Sequence, residues 1–251
     1  MGSNQQRRFI MSLKDQTGNK VPQVKFQTRE NNSWVTKTTD DYFKGKNIVL
    51  FALPGAFTPT CSSTHLPRYN ELHSAFNKAG VDDVICLSVN DTFVMNSWQD
   101  MQDAHDIKML PDGNGEFSEK LGFLVDKSAL GFGKRTWRYS MHVVDGVIKK
   151  MFIEKEVDGD PFDTSNAETM LSYLNQEVPP SVAVYTRNGC PFCAEAKAML
   201  TEKGLDYEEH VLGEDFSVKT LVALSGKTAV PQIFMNGKLV GGCEELKKHL
   251  A

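Results

Sequence analysis

One local pattern occurs twice along the chain, and it constrains the fold more than any other feature. A continuous apolar run at Asn47–Leu53, NIVLFAL, is followed by turn residues, Cys61 and a helical pattern. A second apolar run at Val182–Tyr185 is followed by a glycine, another cysteine and another helical pattern. Short apolar runs bounded by turn residues are typical of strands buried on both faces, in sheets covered by helices. We therefore expect two α/β domains in tandem.

The first repeat continues as a βαβ unit. The helical pattern after Cys61 ends at Gly80, and a second buried strand follows at Val84–Val89. A connection of this length between two strands predicts a right-handed parallel crossover. Further along, the pattern predicts a helix over Thr92–Asp106 and a hairpin over Tyr139–Phe152, in which an Asp-Gly dipeptide favours the turn.

The boundary between the two domains is marked by the segment NQEVPPS. Its two consecutive prolines fit neither a helix interior nor a strand interior, so the segment contains a linker. We divide the chain into a flexible N-terminus at 1–11, a larger domain at 12–177, a linker at 178–181 and a smaller domain at 182–251.

The composition excludes several classes of protein. Lys+Arg 28 against Asp+Glu 32 gives a net charge of -4, whereas proteins that bind nucleic acid or a membrane surface need an excess of basic residues. No apolar run reaches the ~18 residues of a membrane span, and the N-terminus lacks the apolar segment of a secretory signal. Five cysteines are too few for a disulfide scaffold, so we expect reduced thiols and a cytoplasmic protein.

Cys61 follows a buried strand and lies at the start of a helix. Unpaired N–H groups and the helix dipole at such a position favour the thiolate over the thiol. By position alone, a small buried core residue is an equally good interpretation. His65 lies one turn later, where it forms either a Cys–His pair or a bond to a loop or the solvent. Cys86 lies within a strand, as an inert core thiol would.

The residues around Cys61 point to a family. PGAFTPTC resembles the Pro-x-x-x-Thr-x-x-Cys signature of peroxiredoxins, and PGAFTPTCSSTHLPRY resembles the peroxiredoxin-5 subfamily. The resemblance continues through CLSVND, PDGNGEF and WRYSM. It implies that Cys61 attacks the peroxide O–O bond and that Arg138 keeps the thiolate charged. It also implies that Thr58 hydrogen-bonds the thiolate and the peroxide, while Pro54 shields the pocket. Such chemistry needs donors already aimed at the leaving oxygen and a cation that cannot deprotonate.

Cys190 and Cys193 form a Cys-Pro-Phe-Cys motif after a strand and at the start of a helix. This spacing predicts that the first sulfur is exposed and acidic and that the second lies within reach of it. A zinc site needs two further ligands at suitable spacing, and only Cys243 and scattered histidines remain. We therefore predict a redox pair and no metal.

The second motif also resembles a known family. GCPFC resembles the centre of glutaredoxins, with Phe192 where tyrosine is usual. AVPQIF resembles their Thr-Val-Pro-x-x-Phe segment, with Ala229 in place of threonine. The resemblance implies a cis peptide bond before Pro231. GGCEEL resembles their Gly-Gly-x-x-Asp segment, with Glu245 in place of aspartate. The resemblance implies a glutathione site made of Arg187, Phe192, Val230, Pro231, Gly241, Gly242, Cys243 and Glu244.

The resemblance also implies how glutathione is held. The Val230 backbone pairs with the cysteinyl moiety as an added strand. The Gly-Gly turn and the following helix N-terminus take the γ-glutamyl carboxylate, and Arg187 faces the glycine carboxylate. Cys243 is either a bystander or an extra redox thiol beside this site.

The two resemblances cover the chain from about residue 12, in the order of the bacterial hybrid peroxiredoxin–glutaredoxin proteins. They imply two thioredoxin-like domains and a homo-oligomer, dimer or tetramer. They also imply a peroxidase for hydrogen peroxide and small alkyl hydroperoxides, with no bound cofactor and with glutathione as the reducing co-substrate. A Cys61 sulfenic acid would be recycled by glutathione and Cys190. The alternatives are a peroxide sensor that passes oxidation to partner proteins through Cys190, and a glutathione-bridged iron–sulfur carrier.

Overall fold

The computed structural model describes residues 13–30, 32–157 and 159–251. The chain divides into two compact units, with the division between Val178 and Pro179. The segment 1–11, for which the sequence predicts flexibility, lies outside the described residues. Both units combine helices with a sheet, so the prediction of two α/β domains in tandem is confirmed.

The first unit is built around a five-stranded mixed sheet with the strand order β5-β4-β3-β8-β9. Its strands are β1 (Lys25–Glu30), β2 (Ser33–Thr38), β3 (Asn47–Ala52), β4 (Asp83–Ser88), β5 (Lys108–Pro111), β6 (Leu124–Asp126), β7 (Lys134–Thr136), β8 (Tyr139–Val144) and β9 (Val147–Ile153). Its helices are α1 (Thr39–Phe43), α2 (Leu66–Glu71), α3 (His73–Lys78), α4 (Thr92–Met101), α5 (Glu116–Leu121) and α6 (Ala167–Tyr173), with a π-helical turn at Cys61–His65 and a 3₁₀ turn at Ser128–Leu130.

The central strand β3 explains why its sequence is apolar without interruption. It pairs in parallel with β4 and antiparallel with β8, and alternate side chains enter different cores on the two faces of the sheet. Leu50 belongs to one buried cluster, and Phe51 belongs to the other, which also contains Cys61. Burial of each such side chain contributes roughly 1.5–3 kcal/mol, so a polar residue on either face would be costly. The predicted βαβ unit is confirmed.

The helical segments are less regular than predicted. The helix after Cys61 begins with a π-helical turn, and Leu72 separates α2 from α3. Helix α4 ends at Met101, earlier than the predicted Asp106. The physical reason lies in the next turn, where Asp103 has a left-handed φ of 48° and the Gln99 side chain donates to two carbonyl groups beyond the helix.

The second unit has a four-stranded sheet with the order β11-β10-β12-β13. Its strands are β10 (Val182–Thr186), β11 (Glu208–Val211), β12 (Gln232–Met235) and β13 (Lys238–Gly241), and its helices are α7 (Pro191–Glu202), α8 (Val218–Ser225) and α9 (Cys243–Leu250). Strand β10 runs parallel to β11 and antiparallel to β12, so the loop after β10 starts at the carboxyl edge of the parallel pair. Within the described ranges of the chain, no helix has the length and apolar character to cross a membrane.

Candidate active sites

Cys61 is fully buried, in the π-helical turn that follows the loop after β3. Arg138 lies immediately before β8, and the pairing of Ala52 with Tyr139 sets that end of β8 beside the end of β3. The register of the sheet therefore brings two residues that are distant in sequence together. The guanidinium Nη2 of Arg138 donates to Cys61 Sγ over 3.5 Å.

Arg138 is the centre of a buried polar network. Its side chain is 1% exposed, its Nη1 donates to His65 Nδ1 over 2.8 Å, and its Nη2 also donates to Asp160 Oδ1 over 2.5 Å. The guanidinium lies 5.5 Å from the ring centroid of Phe162. Burial lowers the pKa of Arg138, but the adjacent Cys61 and Asp160 outweigh burial and raise that pKa above its ordinary value. The cation is therefore permanent.

His65 is a neutral acceptor for this cation. Its Nε2 lies 3.3 Å from the carbonyl oxygen of Ser165, which can only accept, so Nε2 carries the proton and Nδ1 accepts from Arg138. Burial and then the charge of Arg138 hold the pKa of His65 well below its usual range. Both ring nitrogens are engaged, which favours the loop-binding interpretation over a Cys–His pair with Cys61.

A loop after β9 supplies the other side of the network. The buried Glu154 accepts with Oε1 from the backbone N–H groups of Asp163, Thr164 and Ser165, over 2.9, 2.8 and 2.7 Å. The Ser165 hydroxyl donates to the same oxygen over 2.7 Å. These bonds fix the Ser165 carbonyl that His65 contacts. Sequence reasoning missed both Glu154 and Asp160, because no motif surrounds them.

Thr58 and Pro54 lie in the loop between β3 and Cys61. Pro54 is buried, whereas Thr58 is half-buried. The Thr58 hydroxyl donates to the Gly55 carbonyl over 2.8 Å, so in this structure its proton is not directed at Cys61. The tight turn brings the Gly55 carbonyl within reach, and it leaves the lone pairs of the Thr58 oxygen available to a ligand.

Cys86 lies on β4 opposite Phe51 and is fully buried. Burial raises the pKa of the Cys86 thiol well above its usual value, and a charge on Cys61 raises it further. A thiol that stays protonated is a poor nucleophile, which agrees with the expectation of an inert core cysteine.

Cys190 caps the N-terminus of α7, and Cys193 lies in the first turn of that helix. The two residues are joined as a disulfide, and the Cys193 N–H donates to Cys190 Sγ over 3.2 Å. Cys190 is 8% exposed and Cys193 is 2% exposed. The prediction that the first sulfur is exposed is wrong for this oxidised pair, because the loop before Pro231 brings the Val230 carbonyl within 4.0 Å of it. Cys190 is still the more accessible of the two sulfurs.

A groove of about 560 Å³ in the second unit collects all but one of the residues that the sequence assigns to glutathione. Those that line it are Phe192, Val230, Pro231, Gly241, Gly242, Cys243 and Glu244. The peptide bond before Pro231 is cis. Arg187 does not line this groove. It lines a separate groove of about 310 Å³ together with Cys190, Cys193 and Lys197.

The N-terminus of α9, at one end of the larger groove, already holds a carboxylate. Glu245 Oε2 accepts from the Gly242 N–H over 2.9 Å, since glutamate is long enough to reach back over the turn. A Cβ at Gly241 would lie 2.8 Å from Glu245 Cβ, and Gly241 has a φ of +127°, so only glycine fits there. A ligand carboxylate at this helix end has to share it with Glu245.

Cys243 begins α9 and is buried at the wall of the larger groove. Burial and the neighbouring Glu195 raise the pKa of the Cys243 thiol, which favours a bystander over an extra redox thiol. Across the residues that the structure describes, no group of three His, Cys, Asp or Glu side chains is arranged to hold a metal ion.

Comparison with known proteins gives matches in both units. Residues 16–171 match the Redoxin family, and residues 182–240 match the Glutaredoxin family. The hybrid peroxiredoxin hyPrx5 of Haemophilus influenzae is 55% identical over 236 residues, which are 93% of this chain and 98% of that protein. Peroxiredoxin sll1621 of Synechocystis is 54% identical over 180 residues, 66% of this chain and 95% of that protein.

Solved structures resemble part of the chain. Reduced Prx3 from Vibrio vulnificus, solved in complex with H2O2, superposes with a TM-score of 0.60 at 39% identity. That alignment covers 63% of this chain and 98% of the Vibrio protein. The similarity to the Haemophilus protein, at 93% of this chain, extends into both units.

Proposed function

Because the chain belongs to the redoxin family, as a peroxiredoxin with a C-terminal glutaredoxin domain, we propose that it reduces peroxides with electrons from glutathione. Peroxidase activity and the two thioredoxin-like domains follow from the family. The use of glutathione, the preference for hydrogen peroxide and small alkyl hydroperoxides, and the role of each residue are the parts that we propose.

The first step takes place at Cys61. Its thiolate attacks one oxygen of the peroxide, the O–O bond breaks, and the other oxygen leaves with a proton as an alcohol or water. The sulfur loses two electrons and becomes a sulfenic acid. The buried Arg138 donor at 3.5 Å supports this step, because it stabilises the thiolate and the charge that develops on the leaving oxygen. The free lone pairs of Thr58 accept the peroxide O–H.

The second stage restores Cys61. One glutathione condenses with the sulfenic acid, which releases water and leaves a mixed disulfide. The Cys190 thiolate attacks the glutathionyl sulfur, so Cys61 leaves as a thiolate and Cys190 carries the glutathionyl group. A second glutathione attacks that disulfide and departs as oxidised glutathione. In total, one peroxide and two glutathiones give one alcohol, one water and one glutathione disulfide.

The larger groove is the observation that best supports glutathione as the electron donor. Its wall combines Phe192, the Val230–Pro231 segment and the Gly241–Gly242 turn in one place. A tether between the two domains raises the effective concentration of the reductase to about millimolar, so Cys190 need not reach Cys61 by free diffusion. We place the reaction in the cytoplasm, where the glutathione pool is reducing, and assign it to antioxidant defence. A homo-oligomer stays a prediction.

The test is steady-state turnover of the full chain with hydrogen peroxide, glutathione, glutathione reductase and NADPH. We expect sustained NADPH oxidation, which Cys61→Ser abolishes because an alcohol is not ionised near pH 7. The matched control is Cys86→Ala, which should retain turnover. Intact mass after one equivalent of peroxide, and again after glutathione, reports which cysteine carries each group. A chain that is oxidised once and then stalls in glutathione would contradict glutathione dependence, and turnover with a dithiol reductant instead would indicate a dithiol peroxidase.

A further inference from the structure

A single nitrogen of Arg138 donates to two side chains. Nη2 donates to Cys61 Sγ over 3.5 Å and to Asp160 Oδ1 over 2.5 Å. Of the two acceptors of Nη2, the Asp160 carboxylate lies closer than the Cys61 sulfur. We propose that Asp160 is a reactivity-determining residue of the peroxidase step, because its carboxylate competes with the Cys61 sulfur for the Nη2 donor of Arg138.

Asp160 is not needed to hold the guanidinium in place. His65 accepts from Nη1 over 2.8 Å, and the Phe162 ring lies against the guanidinium at 5.5 Å. Because these contacts remain when the carboxylate is neutralised, the effect of Asp160 is one of charge rather than of position. Removal of a negative charge next to an ionisable sulfur favours the ionised form.

The other ionisable groups of the network do not carry this charge effect. His65 is neutral, with both ring nitrogens engaged, and Cys86 is buried as a thiol. Arg138 is always charged. Glu154 Oε1 is engaged by the loop N–H groups and the Ser165 hydroxyl, whereas the Asp160 carboxylate shares Nη2 of Arg138 with Cys61. We therefore assign the charge effect to the Arg138–Asp160 pair.

Exposure also distinguishes Asp160 from the rest of the network. Its side chain is 37% exposed, whereas that of Arg138 is 1% exposed and Cys61 is fully buried. When the carboxylate leaves Nη2, water can solvate it, so a peroxide can displace it from the donor at moderate cost. Glu154 holds the same loop at Asp163 and Ser165 through their backbone N–H groups.

The experiment compares Asp160→Asn with the wild-type full chain. Cys61 alkylation by iodoacetamide is followed against pH by peptide mass, and oxidation by hydrogen peroxide is followed by stopped flow. We expect the pH midpoint of alkylation to fall by about one unit. Below both midpoints the thiolate fraction then rises about tenfold, and the oxidation rate rises only about threefold, because a more acidic thiol is a weaker nucleophile.

The matched control is Asp163→Asn, a carboxylate of the same loop whose side chain is exposed and lies 3.9 Å from Lys155. It should leave the midpoint and the rate unchanged. An unchanged midpoint in Asp160→Asn would overturn the proposal, and a raised midpoint would do so too, because it would mean that the carboxylate orients Arg138. The proposal rests on the peroxidase step and uses no glutathione, so its failure is distinguishable from a failure of the proposed electron donor.

Discussion

Arg138 donates to the Nδ1 atom of His65 over 2.8 Å, and the same imidazole is bound on its other side by the Ser165 carbonyl. A histidine held in this tautomer presents only a lone pair to the guanidinium. It therefore orients Arg138 as a neutral acceptor, and no positive charge on the imidazole repels the guanidinium. Cys61 and His65 lie in one π-helical turn, and the pairing of β3 with β8 brings Arg138 beside that turn.

The first prediction concerns the shape of the cation. Arg138→Lys keeps the charge, but a single ammonium group cannot contact Cys61, His65 and Asp160 in the planar arrangement of the guanidinium. We expect the rate of Cys61 oxidation by hydrogen peroxide to fall about 10²-fold, the usual cost of losing an aimed donor. Single-turnover stopped flow measures it. Arg68→Lys is the control, since Arg68 pairs with Glu71 and Glu168 outside this network, and an equal loss there would remove the special role of Arg138.

The second prediction concerns acid stability. Burial and Arg138 hold the pKa of His65 well below its unfolded value of 6.5, so below that pH the unfolded chain binds a proton that the folded chain does not. Stability is then complete above about pH 6.5 and is lost as the pH falls, by up to about 1.4 kcal/mol per unit. His65→Gln should flatten the dependence of the unfolding free energy on pH between about 6.5 and 5.

Urea denaturation of the full chain at several pH values measures that slope. His142 is the comparison, because burial and then Lys149 lower its pKa as well, without contact to Arg138. His142→Gln should remove a separate and smaller part of the slope. A wild-type slope in His65→Gln would show that acid sensitivity comes from other groups.

The third prediction concerns the loop anchor. Glu154→Ala leaves three backbone N–H groups and one hydroxyl without their acceptor, so we expect the unfolding free energy to fall by about 3 kcal/mol. Glu154→Gln keeps an acceptor oxygen and should lose less. Urea denaturation measures both, with the exposed Glu119→Ala as control. Equal stability of Glu154→Ala and Glu119→Ala would contradict the anchoring role.

Much of the fold was predictable because its signals are local. The apolar run of β3, the βαβ unit and the hairpin at Tyr139–Phe152 follow from periodicity and turn residues, and the structure has all of them. The break between α2 and α3 at Leu72 and the early end of α4 depend on side-chain contacts that the hydrophobic periodicity of the sequence does not encode. The second domain was predictable for the same local reasons as the first.

The candidate site was predictable only in part. The signature residues lie in short motifs, so Cys61, Arg138 and Cys190 could be proposed as site residues from their neighbours in sequence. Asp160 and Glu154 act through tertiary contacts made by a loop without a motif, and no local pattern could have found them. The Thr58 hydroxyl depends on the turn at Gly55, a geometric detail that the signature does not encode.

The last prediction separates Cys190 from Cys193. Cys190 caps α7, where the helix dipole favours a thiolate and the Cys193 N–H donates to its sulfur, whereas Cys193 is the more buried of the pair. Attack on a glutathionyl sulfur needs one thiolate only. Cys190→Ser should therefore eliminate glutaredoxin-coupled turnover, and Cys193→Ser should keep a substantial fraction of it.

The coupled assay with glutathione reductase measures this turnover, and intact mass measures the intermediate. In Cys193→Ser, glutathionylated Cys190 should accumulate, because the Cys193 thiol is no longer there to resolve it. The structure has a disulfide between the two cysteines, which is the intermediate of the alternative dithiol route. If both substitutions abolish turnover equally, the pair has to cycle through that disulfide. The reductant would then act on an intramolecular disulfide, and a dithiol route would replace the route through a glutathionylated Cys190.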